Sequence, residues 1–190
     1  MGKGVKREES LAQEVAPAPR AKSMVREYAE ALIIAVLLAL VIRTFVVQAF
    51  KIPSGSMLPT LQIGDHILVN KFLYYFQGIR RGDIIVFKFP QDETRDFIKR
   101  VIGMPGDVVR IDQGVVYVNG RRLQESYVPP DYRDRLSMAD MKIGQDYYFV
   151  LGDHRSSSND SRNWGPVHRR SVYGKAVFVY WPPEKIGPVR

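Results

Sequence analysis

The stretch Gly82–Gly103 reads GDIIVFKFPQDETRDFIKRVIG. An apolar and aromatic run closes at Pro90, a polar break follows, and a second run begins at Phe97. Short runs of β-branched and aromatic residues bounded by Gly, Pro or Asp are built as strands, because a helix of this composition would be longer and periodic at 3.6. The same pattern recurs at Val108–Ile111, Val115–Val118, Tyr147–Gly152 and Val172–Trp181. Asn119-Gly120, directly after VVYV, are residues that tolerate positive φ and predict a two-residue type I′ hairpin. With no convincing soluble helix among them, these strands predict a mainly β domain over residues 49–190, an antiparallel sheet or barrel-like body. Residues 121–146, with Pro129-Pro130 and scattered charges, read as a surface excursion without legible function.

Upstream the pattern changes. Ala31–Ile42 is continuously apolar, and Phe45–Val47 extends the run beyond Arg43 and Thr44. A spanning helix needs about 20 mostly apolar residues, so one transmembrane helix is expected over residues 28–48. Arg43 would then lie about 9 Å from the midplane of a hydrocarbon layer with a half-thickness of about 15 Å, near enough for its side chain to snorkel to the head groups. A cleavable secretory signal fits the same residues, since a basic region, an apolar stretch and the ending Val47-Gln48-Ala49 match that template too. Basic residues before the segment favour a cytoplasmic N-terminus, placing everything after residue 50 outside. Residues 1–27, which include VAPAPRAKS, are expected to be a disordered cytoplasmic tail.

At 190 residues, 45% hydrophobic and 25% charged, the chain has room for one domain and an appendage. The absence of cysteine excludes disulfides, thiolate zinc sites and cysteine nucleophiles. The net charge of +8 is dispersed: residues 1–27 hold six basic and four acidic residues, and no concentrated basic patch follows. That distribution argues against a nucleic-acid partner and favours anionic lipid head groups.

The candidate chemistry begins at Ile52–Thr60, IPSGSMLPT, where two serines follow the apolar segment closely. Serine needs a base to become a nucleophile. The chain has only His66, His154 and His168, and no Gly-x-Ser-x-Gly elbow. Lysine can replace histidine if burial lowers its pKa from about 10.4 to about 7–8, at a cost of about 4 kcal/mol. In the strand around Lys99, alternation puts Lys99 on one face with Phe97 and Val101, and Arg100 on the other. Either one of these cations faces an apolar interior, or both are solvated on a twisted edge strand. A third cluster, GDHRSSSNDSRNWGP at Gly152–Pro166, is either a solvated turn or a device that holds another site rigid through Asp–Arg pairs and hydroxyl hydrogen bonds.

Together these clusters resemble the bacterial type I signal peptidases, membrane-bound Ser–Lys endopeptidases that remove signal peptides from exported proteins. The likeness runs in order through FKIPSGSMLPT (Phe50–Thr60), GDHILVNKFLY (Gly64–Tyr74), KRVIGMPGD (Lys99–Asp107) and GDHRSSSNDSR (Gly152–Arg162). It implies Ser56 as nucleophile, Lys99 as general base and Ser54 as an oxyanion donor beside the Ser56 N–H. Ser158 would orient the lysine, and Asp160 and Arg162 would brace the site as an ion pair. The family's shallow pockets for small side chains correspond to Phe50, Ile52, Met57, Leu61, Phe97 and Ile98, whose alternative role is core packing. The resemblance implies no metal or cofactor, and its partners would be signal-peptide-bearing preproteins and membrane lipids. His154 departs from the family's more common asparagine and is read as structural. Phe72–Phe76 is either a second membrane contact or a cap on the β core.

Two other functions fit parts of the sequence. A self-cleaving regulator of the SOS-repressor type has a similar Ser–Lys core, although a helix-turn-helix would stand where the apolar segment stands here. A membrane-tethered scaffold would use these serines only as turn residues.

Overall fold

The structure is a computed structural model that describes residues 24–41 and 47–189. The chain divides into two compact units, Met1–Leu38 and Ala39–Arg190. Helix α1 (Met24–Val41), whose residues up to Leu38 belong to the first, carries Glu27 in its first turn, where a carboxylate complements the helix dipole, and an Arg26–Glu30 ion pair one turn apart. Its apolar side chains, Leu32, Ile33, Ile34, Leu37 and Leu38 among them, are exposed. Among the described residues no helix is long and apolar enough to cross a membrane. Of the helix expected over 28–48, α1 is described as far as Val41, residues 42–46 lie outside the described residues, and the far end is corrected, since Val47–Lys51 form strand β1. The apolar character of Val47 and Phe50 serves a sheet edge, where they pair with Asn70 and Ile67.

The second unit is built on an eight-stranded antiparallel sheet. Its strands are β1, β2 (His66–Asn70), β3 (Ile84–Phe89), β4 (Asp92–Gly103), β9 (Tyr147–Leu151), β10 (Val167–His168), β11 (Val172–Trp181) and β12 (Gly187–Pro188). The order is β1-β2-β11-β3-β4-β9-β10, with β12 on the side of β11. A second sheet has the order β7-β6-β5-β8, from β5 (Val108–Asp112), β6 (Val115–Val118), β7 (Arg121–Arg122) and β8 (Met138–Lys142). The main sheet is open, with β1 and β10 as its two edges, so the antiparallel expectation holds and the barrel-like one does not. All six strands read from the sequence form within a few residues of their expected limits.

The run IIVFKF in β3 is continuous instead of alternating because both faces of its strand are covered. Ile84 and Val86 join a core with Ile52, Met57, Leu61, Ile67 and Ile98, whereas Ile85 and Phe87 join another with Val101, Tyr148 and Val150. A third core, around Val109, Val118, Ile143 and Phe149, fastens the small sheet. Asn119 and Gly120 have φ of 52° and 75° and close the two-residue β6–β7 hairpin as expected. Residues 121–146 supply β7 and β8 to the second sheet, and their Val128, Ile143 and Glu125 are buried. The reading of this stretch as a surface excursion is therefore corrected. Within Phe72–Phe76, helix α2 (Leu73–Phe76) buries Tyr74 while Phe72, Tyr75 and Phe76 are exposed.

Candidate active site

Ser56 is the middle residue of a 3-10 turn, Gly55–Met57, entered through extended Ser54 and flanked by Pro53 and Pro59. Met57 and Leu61 anchor this turn from below, each fully buried in the first core. The Ser56 N–H is among the N-terminal donors of the turn that have no acceptor within it. Ser54, whose side chain caps nothing, is exposed on the same rim.

The amine of Lys99 meets this turn from β4. Lys99 Nζ lies 2.8 Å from Ser56 Oγ and 2.9 Å from the Ile98 carbonyl, to which it donates. Nζ is also 5.3 Å from the centre of the Phe97 ring. Lys99 is 4% exposed and Ser56 8%. Burial pushes the Lys99 amine down from 10.5 to about 8, against the opposing pull of the Asp160 and Asp153 carboxylates.

Arg100, on the other face of β4, is equally buried. It is held by two hydrogen bonds to Asp153, at 2.8 and 2.7 Å, and stacks 4.0 Å over the Tyr127 ring. The solvated reading of this Lys-Arg pair is thereby overturned: one cation has been desolvated beside a hydroxyl, the other paired with a buried carboxylate.

The polar cluster at Gly152–Pro166 is folded against the serine turn. The His154 N–H donates to the Ser56 carbonyl at 3.1 Å, and the His154 ring contacts the Gly55 carbonyl at 3.3 Å and packs edge-on against Tyr132. The histidine thus serves the turn's backbone. Gly152 has no room for a side chain, since a Cβ there would lie 2.5 Å from the Ser56 carbonyl oxygen and closer still to Ser158 Oγ. Asp160 accepts the Gly152 N–H at 3.0 Å and pairs with Arg162 at 2.7 Å, so the expected ion pair is present. Arg162 also bonds Asp134 and the Arg155 carbonyl. Ser158 Oγ is buried without a hydrogen-bond partner and makes no bond to Lys99.

An open cleft of about 490 Å³ is lined by Ser54, Gly55, Ser56, Phe97, Ile98 and Lys99, with Arg95, Asn159 and others at its margins. A smaller depression beside it, of about 40 Å³, is lined by Phe50, Ile52, Phe97 and Ile98. Met57 and Leu61 line neither and are core residues. Sequence reading missed Asp153 as the partner of Arg100, Thr60 as a donor to Asp153, and the buried pair of Arg155 with Glu125. Asp153 and Arg155 lay inside a cluster already singled out, whereas Glu125 is an isolated acid in a polar stretch and carried no local signal.

A desolvated amine touching a serine hydroxyl at the edge of a cleft supplies the parts of a serine hydrolase. Comparison with known proteins specifies which kind. The family described as signal peptidase, peptidase S26, matches residues 25–181. The chain is 44% identical over 186 residues to a signal peptidase I of Leptolyngbya laminosa, covering 93% of this chain and 89% of that one. It is 39% identical over 180 residues to the probable signal peptidase I-1 of a Synechocystis species, covering 90% of each. It is also 38% identical to a probable thylakoidal processing peptidase of Arabidopsis thaliana, over 86% of this chain and 46% of that protein. The chain belongs to the S26 signal peptidase family, and it is a peptidase that cleaves signal peptides.

Proposed function

We propose that the chain cleaves secreted preproteins after small residues of the Ala-x-Ala type, through an acyl-enzyme on Ser56 formed with Lys99 as general base. The observation that carries this reading is the 2.8 Å contact between Lys99 Nζ and Ser56 Oγ, made by an amine whose proton affinity burial has already lowered. In the neutral form the contact reverses: Ser56 donates its proton to the amine lone pair as Oγ attacks the scissile carbonyl.

The resulting oxyanion is received by the Ser56 N–H and the Ser54 hydroxyl, and a lost donor of this kind costs about 2.7–4 kcal/mol. The Lys99 ammonium then protonates the leaving amine, which departs as the new N-terminus of the mature protein. Next, Lys99 takes a proton from water, hydroxide attacks the acyl-enzyme, and the proton returns to Ser56 as the signal peptide leaves. Ser158 is proposed to steer the lysine during these transfers, and Asp160 with Arg162 to brace the loop. Phe50, Ile52, Phe97 and Ile98 favour small side chains because the depression they line is small, about 40 Å³.

The same reading puts the catalytic domain on the outer face of the cytoplasmic membrane. Its support is the apolar run that starts in α1 and continues toward Val47, preceded by basic residues. The exposed Phe72, Tyr75 and Phe76 are proposed to touch the head-group layer as a second contact.

The test is cleavage of a preprotein with an Ala-x-Ala site by the full chain in detergent or vesicles. Ser56→Ala and Lys99→Ala should each abolish it, and retained activity in either variant would overturn the assignment. Cleavage confined to the chain's own residues would favour a self-processing regulator.

A further inference from the structure

Glu125 stands outside every segment that resembles the family's motifs, yet its side chain is only 2% exposed. It comes from the stretch between β7 and β8 and reaches Arg155, 30 residues away, whose side chain is 3% exposed. The contact is a two-point fork: Arg155 Nη1 donates to Oε2 at 3.1 Å and Nη2 to Oε1. Tyr127 donates a further hydrogen bond to Oε1 at 3.1 Å, and Arg133 caps the Glu125 carbonyl. A planar guanidinium bound in this way is fixed in orientation as well as position.

What Arg155 does with that fixed orientation concerns Ser56. Its Nε donates to the Gly152 carbonyl at 2.9 Å, closing a tight loop over Gly152–Arg155. This loop is the one that presses Gly152 onto the Ser56 carbonyl and donates the His154 N–H to it. The Arg155 carbonyl also receives Arg162, linking this clamp to the Asp160 pair. The loop is polar and has little apolar surface to pack, so charge-assisted bonds set its position. Removing the carboxylate would leave a buried, uncompensated guanidinium free to withdraw.

We propose that Glu125 is a positioning residue for the reaction: through Arg155 it holds the Gly152–His154 backbone against Ser56, and so fixes the nucleophile relative to Lys99 and the cleft. This rests on the assignment of Ser56 as nucleophile.

The experiment compares wild type, Glu125→Gln, Arg155→Gln and the double variant as full chains, with Ser56→Ala as control. Two measurements are made: preprotein cleavage, and the rate and amplitude of labelling by a serine-directed acylating probe. Displacing reacting atoms by about 1 Å can cost on the order of 100-fold, so Glu125→Gln should lower kcat about 10- to 100-fold with KM within about twofold of wild type. Probe labelling should slow in parallel yet reach full amplitude, whereas partial unfolding would lower the amplitude and leave the rate. The midpoint of the pH–rate profile should not move, because Glu125 is not among the groups that set the Lys99 amine.

The double variant should be no slower than the slower single one, as expected for residues acting as one unit. An unchanged kcat, an effect on KM alone, or reduced amplitude at normal rate would each overturn the proposal. If Glu125→Gln does not fold, Glu125→Asp keeps the charge, draws the carboxylate back by one methylene, and is read by the same criteria. Cleavage surviving in Ser56→Ala would instead refute the proposed nucleophile, a separate failure from any result at Glu125.

Discussion

A buried lysine amine costs a folded protein stability, and the size of that cost follows from its titration. Lys99 protonates near pH 8 in the folded chain and near 10.5 when unfolded. Below pH 8 both states carry the proton and the folded state bears the full cost of the buried charge. Between about 8 and 10.5 the unfolded chain binds more protons than the folded one, so stability rises with pH across that window. Activity should rise through the same folded-state value, since only the free amine is a base. A profile of kcat/KM against pH that is flat from about 6 to 9 would contradict Lys99 in that role. Lys99→Met keeps the bulk and removes the charge. At about 1.4 kcal/mol per pH unit it should stabilise the fold by on the order of 1–3 kcal/mol at pH 7, less its lost hydrogen bonds, with the gain shrinking as the pH rises from about 8 to about 10.5. Thermal unfolding at pH 7 and pH 10 measures this, and a loss of stability at both would refute it. Strand alternation in the sequence was enough to separate the faces of Lys99 and Arg100. It could not reveal that Arg100 is buried as well, because the compensating carboxylate, Asp153, lies 53 residues away.

Elements were legible where both faces of a strand demanded apolar residues, as in β3 and β9, and where turn chemistry was unambiguous, as at Asn119-Gly120. They were illegible where one composition serves two structures: Val47–Phe50 continues an apolar helix in sequence yet pairs as an edge strand in the fold. That same pairing gives the aromatic turn its interest. Val47 lies opposite Asn70, whose side chain accepts the Leu73 N–H, so α2 begins beside the point where the chain enters the sheet. Phe72, Tyr75 and Phe76 are 45%, 81% and 75% exposed there. Arg169 donates to the Tyr74 carbonyl next to them, which adds a cation suited to anionic head groups. Because the chain has no cysteine, a spin label can be placed singly. In the full chain reconstituted in anionic vesicles, a label at Tyr75→Cys should be shielded from a water-soluble nickel relaxant and accessible to oxygen. A label at Arg121→Cys should show the reverse. Equal nickel accessibility at both positions would leave Tyr74 as the only member of this run with an assigned task, the core contact in which its hydroxyl bonds Asp83.

At the scale of the whole molecule, the order of the chain limits where the chemistry can occur. Ser56 follows Val47 by nine residues, and an extended chain advances at most about 3.3–3.6 Å per residue, so the serine cannot lie more than about 30 Å along the chain from the start of β1. If the apolar run before β1 is the proposed span, the nucleophile is tethered near the bilayer surface, where a signal peptide still held in the membrane would offer its cleavage site. Four ordered motifs made the family readable from the sequence. The clamps that hold the site, Glu125 on Arg155 and Asp134 on Arg162, join segments distant in sequence and were not readable. The orientation is open to a direct test in inverted and right-side-out membrane vesicles. Single cysteines at Lys3 and at Arg121 should react with an impermeant maleimide from opposite sides, Lys3→Cys from the cytoplasmic face and Arg121→Cys from the outer one. Reaction of both from one side would rule out a single span between them, and with it the tethered placement of Ser56. Reaction from opposite sides, together with cleavage of a preprotein only when its mature part lies on the outer side, is the outcome that this chain order requires.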